Sequence, residues 1–138
     1  DADAWKEVLG VNVFGLCVAT REAARIMTAN KINGHIIHIN SVAGHKVSDF
    51  PDINLYTASK YAVTALAETL RNEFNALGVK IKITSLSPGL VISEMTTLSK
   101  DCSKERRDML KSLPILKAED IAEAVGYVLS TPEHVQVR

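Results

Sequence analysis

Three side chains in this 138-residue sequence have the chemical types and the spacing needed to move a proton: Tyr56, Lys60 and Ser41. Tyr56 and Lys60 stand four apart at the start of a segment with helical periodicity, so both side chains point to the same side of the helix. A nearby ammonium favours a charged phenolate, which allows a tyrosine to act as a general acid or base. With a serine hydroxyl to hold a carbonyl or alcohol oxygen, this set suits proton transfer to an oxygen whose carbon gains or loses hydride.

The Tyr-x-x-x-Lys pattern alone is weakly specific, because it also arises by chance in chains of this length. The alternative is a half-buried aromatic residue at a helix start, followed by a solvated lysine. The surroundings of Ser41 favour the chemical interpretation. Ser41 ends the apolar run 35–41, which predicts a strand covered on both faces, and the small residues 42–44 form a turn after it. Catalytic groups in open α/β sheets collect at the carboxyl ends of strands.

The hydrophobic pattern predicts helices that alternate with strands. The expected elements are a helix of about 25 residues that ends near residue 30, a strand over 35–41, a loop over 43–55, a helix over 56–77, a strand over 79–86, a polar loop over 94–113 with a short helix at 104–110, and a helix over 119–129. The buried stripe of the second helix is expected at Val63, Leu66, Ala67, Leu70, Phe74 and Leu77. This alternation predicts an α/β fold with a parallel sheet.

Composition excludes several classes of protein. Sixteen basic residues balance sixteen acidic ones, so no overall field attracts nucleic acid or an anionic membrane. Cys17 and Cys102 make neither a disulfide framework nor a metal cluster, and we expect a reducing, cytoplasmic setting. No apolar stretch approaches the roughly 18 residues of a membrane span. The length suits one domain, and 46% hydrophobic residues suffice for a packed core.

The chain contains no glycine-rich βα turn of the kind that cradles the pyrophosphate of a dinucleotide. It begins at Asp1 with a helical pattern already under way and ends at Arg138 as an extended segment begins. We therefore expect residues 1–138 to be the catalytic portion of a single domain of Rossmann type. This portion of the doubly wound parallel sheet would lack the N-terminal βαβ units and the last strand.

Four segments, in this order, resemble motifs of the short-chain dehydrogenase/reductase family. They are Gly10-Val11-Asn12-Val13, Ile39-Asn40-Ser41-Val42-Ala43-Gly44, Tyr56-Thr57-Ala58-Ser59-Lys60 and Ser87-Pro88-Gly89-Leu90-Val91-Ile92-Ser93. The last segment has serine at position 93 where the family usually has threonine. Longer matches resemble one branch of the family. That branch implies NADP as cofactor, with NAD possible, and an alcohol or ketone substrate of steroid or isoprenoid type.

The resemblance implies a role for each of four catalytic candidates. Tyr56 is the proton donor and acceptor, and Lys60 supports it while holding the ribose hydroxyls of the nicotinamide. Ser41 orients the substrate oxygen. Asn12 breaks the regular bonding of its helix and holds a water that leads protons to Lys60. The residue pattern alone leaves an alternative for Asn12, which is a core asparagine bonded to backbone.

The resemblance also implies which residues bind the cofactor: Tyr56, Lys60, Pro88, Gly89, Val91 and Ser93. Val91 would meet the carboxamide through its backbone and Ser93 through its hydroxyl. On pattern alone, a proline and a glycine at a strand end are more often a plain turn than a cofactor contact. The residues that select between NADP and NAD are expected outside this chain.

Other candidates are weaker. His35 and His38 lie three apart in a strand, so they face opposite sides and cannot share a metal. His45 follows the serine turn, where a surface position is more common than a substrate contact. The charged residues of 104–111 alternate in sign and predict a solvated helix face. We expect a homodimer or homotetramer by analogy, and the rival to an oxidoreductase is a non-enzymatic interaction module built on a truncated reductase fold.

Overall fold

Helices and strands alternate along the chain, as the hydrophobic pattern predicts. The computed structural model describes residues 1–47, 55–94 and 112–138. Its helices are α1 (Ala2–Leu9), α2 (Leu16–Ala29), α3 (Tyr56–Ala76) and α4 (Ala118–Ser130), and its strands are β1 (His35–Ile39) and β2 (Lys82–Leu86). The predicted helix at 104–110, with its charged face, lies outside the described residues.

The first helical run covers residues 2–29 and has a widened middle. Asp1 caps its start, since its Oδ1 accepts from the backbone N–H groups of Asp3 at 3.0 Å and Ala4 at 2.9 Å. Between α1 and α2 the chain forms a π-helical segment, Gly10–Gly15. The extent predicted for this helix is therefore right. Apolar spacing carries no signal for one extra residue per turn, but the widened segment contains Asn12, where the motif resemblance implied a break in the regular helix bonding.

The strands β1 and β2 pair in parallel, with His35 opposite Lys82 and Ile39 opposite Leu86. Predicted to reach residue 41, β1 ends at Ile39, because the Ser41 side chain caps a short 3-10 turn over Val42–Gly44. Predicted to start at residue 79, β2 begins at Lys82. The chain is still leaving α3 there, with Gly78 at a φ of +65° and the N–H of Val79 bonded to the Phe74 carbonyl at 2.9 Å.

The buried side of α3 differs in part from the predicted stripe. Val63, Ala67 and Phe74 are buried as expected, but Leu77 is 74% exposed because the helix has already ended. Two polar residues join the buried side instead, Ser59 and Arg71. The Nη2 of Arg71 donates to the carbonyl of Ile83 at 2.9 Å and so ties α3 to β2. Phe74 packs with a core of Ile36, Ile81 and Ile83.

Lysine 82 links β2 to the end of α4. The Lys82 Nζ donates to the carbonyls of Thr131 at 3.0 Å and Pro132 at 3.1 Å. These carbonyls belong to the two residues that follow α4, so the bonds fix the chain that leaves the helix to β2. Among the residues that the structure describes, no helix combines the length and the apolar character that crossing a membrane requires.

The two histidines of β1 take separate partners, as their spacing predicts. The Nε2 of His38 lies 2.9 Å from the Thr20 Oγ1, and the Nε2 of His35 lies 2.9 Å from the Thr84 Oγ1. Within residues 1–47, 55–94 and 112–138, no group of three or more candidate ligands is placed to hold a metal. Burial lowers the pKa of both histidines, and for His38, which is 2% exposed, burial is the sole cause.

The burial of His38 predicts a loss of stability in acid. Its pKa is held below the usual value of 6.5, so the unfolded chain binds a proton that the folded chain refuses as the pH falls through this range. The free energy of unfolding should therefore fall less steeply below pH 6.5 in His38→Gln than in the wild type. Denaturant titrations across this range, with the exposed His134→Gln as control, measure the difference. Identical slopes in His38→Gln and wild type would contradict it.

Candidate functional site

Lys60 bridges the first turn of α3 and the carboxyl end of β1. Its Nζ donates to the carbonyl of Ile39 at 3.0 Å and lies 5.5 Å from the centre of the Tyr56 ring. The spacing of four therefore places the tyrosine and the lysine together, beside the strand end. Burial lowers the pKa of Lys60, because the surrounding protein replaces water around its ammonium.

Asn12 reaches the same turn of α3 from the π-helical segment. Its Nδ2 donates to the Ser59 Oγ at 3.0 Å, and that hydroxyl donates to the Tyr56 carbonyl at 2.6 Å. The Asn12 amide nitrogen thus bonds to a side chain, whereas the alternative drawn from the residue pattern was a bond to backbone. Single π-helical turns within α-helices are frequent at functional sites.

Ser59 is a residue whose importance the sequence reasoning missed, although it stands within the Tyr-x-x-Ser-Lys segment. It is completely buried, with an exposed fraction of 0%. A signal was available, since Ser59 lies four residues before Val63 and eight before Ala67, on the buried side of α3. A small polar residue in line with a buried stripe indicates close packing and a fixed hydroxyl partner.

Ser41 is half-buried and lies just beyond β1. Its Oγ accepts from the backbone N–H of Ala43 at 3.1 Å, which caps the turn over Val42–Gly44. That turn is fixed to the segment after β2, since the N–H of Val42 donates to the Pro88 carbonyl at 2.9 Å. The exposed His45 adds a second link, with its Nε2 2.8 Å from the Ser87 Oγ. The serine turn and the start of the Pro88-Gly89 segment are therefore neighbours.

The remaining predicted cofactor residues follow along the segment that leaves β2. Gly89 is exposed, and a Cβ added to it would meet no atom within 4 Å. Val91 forms a parallel bridge with Leu116. Ser93 is partly buried and lies two residues further on. Among the predicted cofactor residues, Lys60 thus lies beside the Tyr56 ring, and Val91 pairs with Leu116. The roles of all these residues stay predictions.

The parallel strands between helices, with polar side chains at their carboxyl ends, define part of a doubly wound, Rossmann-type α/β domain. Residues 1–103 match the family model described as short chain dehydrogenase. The chain therefore belongs to the short-chain dehydrogenase/reductase family, as the four sequence motifs indicated.

Relatives and solved structures agree with this assignment. The chain is 49% identical over 132 residues to farnesol dehydrogenase of Aedes aegypti, covering 96% of this chain and 51% of that protein. It is 45% identical over 135 residues to dehydrogenase/reductase SDR family member 11 of Bos taurus, covering 96% and 53%. A serine dehydrogenase solved with NADP+ superposes with a TM-score of 0.83 at 28% identity, covering 99% of this chain and 54% of that one. The chain spans about half the length of the curated relatives it matches.

The Asn12–Ser59 contact predicts a measurable contribution to stability. We use full-length protein for a protein of the relatives' length that contains this chain. In it, Ser59→Ala should lower the free energy of unfolding by about 1–3 kcal/mol, because the part-buried amide of Asn12 loses its acceptor. Denaturant titration measures this change. Ser130→Ala is the matched control, since the Ser130 Oγ makes the same kind of bond, to the Tyr127 carbonyl at 2.8 Å, at an exposed helix end. An equal loss in both variants would refute the prediction.

Proposed function

We propose that this chain is the catalytic part of a nicotinamide-dependent oxidoreductase that interconverts an alcohol and a ketone or aldehyde. The observation that carries the proposal is the placement of Lys60, which the Ile39 carbonyl holds at the strand end beside the Tyr56 ring. A bound reduced nicotinamide supplies the hydride for the carbonyl carbon. Tyr56 donates the proton that the carbonyl oxygen gains, and it accepts that proton again in the oxidation of the alcohol.

Lys60 fits two tasks in this proposal. An ammonium has three N–H donors, and the bond to the Ile39 carbonyl uses one of them. The remaining donors suit the ribose hydroxyls of a nicotinamide nucleotide, which supports the fit of that cofactor to the residues present. The positive charge of the same ammonium lies 5.5 Å from the centre of the Tyr56 ring. It stabilises the phenolate that remains after proton transfer.

Ser41 is proposed to orient the substrate oxygen. Its Oγ already accepts the N–H of Ala43, so the hydroxyl hydrogen is the group it offers to a substrate carbonyl. Asn12 is proposed to hold a water that passes protons toward Lys60. Its amide nitrogen is fixed by Ser59, which leaves the amide oxygen to accept from that water.

For the cofactor we propose NADP, with NAD as the alternative. Pro88, Gly89, Val91 and Ser93 would bind its nicotinamide end, and the link from Val42 to Pro88 supports this by joining their segment to the serine turn. Two solved structures of similar fold are complexes, one with NADP+ and the other with NADH, so both forms occur among similar folds. A hydrophobic substrate of isoprenoid or steroid type is supported by the 49% identity to a farnesol dehydrogenase.

The acid–base role of Tyr56 predicts the outcome of one substitution. In the full-length protein, Tyr56→Phe should lower kcat at least about 100-fold, because it removes the transferable proton and little volume. The Kd for NADPH should change little. Steady-state oxidation of NADPH with a hydrophobic ketone and fluorescence titration of NADPH measure the two quantities.

Tyr127→Phe is the control, since Tyr127 is 66% exposed on α4. Retention of more than about 5% of kcat by Tyr56→Phe would contradict the assigned role. Absence of turnover in the wild type would instead favour the non-enzymatic interaction module.

A homodimer or homotetramer is proposed on the apolar surface of the long helices. Val11 and Phe14 of the first helical run are 67% and 70% exposed, and Tyr61 of α3 is 41% exposed. A symmetric dimer is the commonest way in which soluble proteins cover such surface.

Light scattering on the full-length protein should give a dimer or tetramer at micromolar concentration. Phe14→Glu and Ala65→Glu should shift it toward the monomer, because a charge on a covered apolar surface is unfavourable. Ala122→Glu, on exposed α4 surface, is the control and should leave the mass unchanged. A wild-type monomer would end this proposal.

A further inference from the structure

Asn40, the residue before Ser41, connects the end of β1 to α3 and β2. It is the first residue after β1, is 4% exposed, and its backbone N–H still donates to the Leu86 carbonyl of β2 at 2.7 Å. Its Nδ2 donates to the Thr64 Oγ1 on α3 at 2.8 Å and to the Ser85 Oγ on β2 at 3.0 Å. Both amide hydrogens therefore have acceptors, and the acceptors lie on two different elements.

Thr64 connects Asn40 to the end of the serine turn, residues 42–44, by a second hydrogen bond. Because its Oγ1 accepts from Asn40, its single hydrogen is free to donate to a carbonyl, and the Gly44 carbonyl lies 2.9 Å away. The carbonyl of Lys60 lies 3.2 Å from the same oxygen. The hydroxyl of Thr64 thus sits between the end of the serine turn and the helical turn that carries Lys60.

Gly44 allows the two backbones to approach. A Cβ at this position would lie 2.7 Å from the Lys60 carbonyl oxygen and 2.8 Å from both the Asn40 Oδ1 and the Thr64 Oγ1. Contacts this short do not occur, so any larger residue would push the serine turn away from α3. Asn40, directly before Ser41, and Gly44, three residues after it, therefore both contact the turn of α3 from Lys60 to Thr64.

The Asn40 Oδ1 takes no part in these bonds. That oxygen is buried and has no hydrogen-bond partner within the part of the chain that the structure describes. A buried oxygen without a partner destabilises a fold. The Asn40 amide therefore stabilises this region through its two donated hydrogen bonds, which hold α3 and β2 close to the end of β1.

We infer that Asn40 and Thr64 are positioning residues that set the serine turn against the Lys60 turn of α3, and so place the Ser41 hydroxyl for reaction. This inference rests on the proposed function. Neither side chain touches the substrate in this role. Both act through Ser41 and Lys60, which stand next to Asn40 and one helical turn before Thr64.

The test uses the full-length protein and three threonine variants. Thr64→Val removes the hydroxyl and keeps the shape, and Thr64→Ser keeps the hydroxyl. Thr69→Val is the matched control, because the Thr69 Oγ1 makes a similar bond to the Ala65 carbonyl at 3.0 Å on the exposed side of the same helix.

We expect Thr64→Val to lower kcat by about tenfold or more, since a small misplacement of reacting groups has effects of this size. The KM for NADPH and the control's kcat should stay within about twofold of wild type, and Thr64→Ser should recover most of the rate. In Asn40→Ala combined with Thr64→Val, kcat should fall by less than the product of the two single effects, because both act on one link.

Several results would overturn the positioning role. They are a kcat of Thr64→Val equal to that of Thr69→Val, an equal loss in Thr64→Ser, or a lower melting temperature of Thr64→Val with an unchanged kcat. If Asn40→Ala does not fold, the threonine variants decide alone. A wild-type protein without NADPH-dependent turnover would contradict the proposed function itself, which separates that failure from failure of the positioning role.

Discussion

The hydrogen bond from the Lys60 Nζ to the Ile39 carbonyl is the contact on which the proposed site depends. It joins the first turn of α3 to the last residue of β1, so the helix start and the strand end are held as one unit. The ammonium is partly desolvated there, and burial lowers the pKa of Lys60. A charge in such surroundings acts on its neighbours more strongly than it would in water, and the centre of the Tyr56 ring lies 5.5 Å from this one.

Three further polar links hold the surroundings of this unit. Asn12 reaches Ser59 from the π-helical segment, Asn40 reaches Thr64 from the end of β1, and the Val42 N–H reaches the Pro88 carbonyl. Each link joins elements that are far apart in sequence and holds one of the segments around the site in position. The site is thus a meeting point of helix and strand ends, which agrees with the general position of ligand sites in open α/β sheets.

The sequence predicted those features that depend on local spacing. The four-residue interval between Tyr56 and Lys60, the extent of α3 and the order of helices and strands are examples, and the structure confirms them. The structure also corrects local details at element ends. Ser41 caps the turn that follows β1, so this strand ends earlier than predicted. Gly78, with its positive φ, turns the chain after α3, and β2 begins later than predicted.

The polar contacts between distant residues could not be predicted in the same way. Asn12 and Ser59 are 47 residues apart, and Asn40 and Thr64 are 24 apart. Hydrophobic periodicity assigns such residues to a buried face but does not state which partner they meet, because that depends on how the elements pack. The motif resemblance supplied the candidate residues, while the structure supplied the contacts of Ser59, Asn40 and Thr64.

The central claim is that residues of this chain direct hydride to a carbonyl carbon. The most direct measurement is mass spectrometry of the alcohol formed by the full-length protein from a hydrophobic ketone and NADPH carrying deuterium at the transferable position. We expect one deuterium on the carbinol carbon of the product in the wild type and no labelled product above background in Lys60→Met. Unlabelled alcohol from the wild type, or undiminished labelling in Lys60→Met, would contradict it.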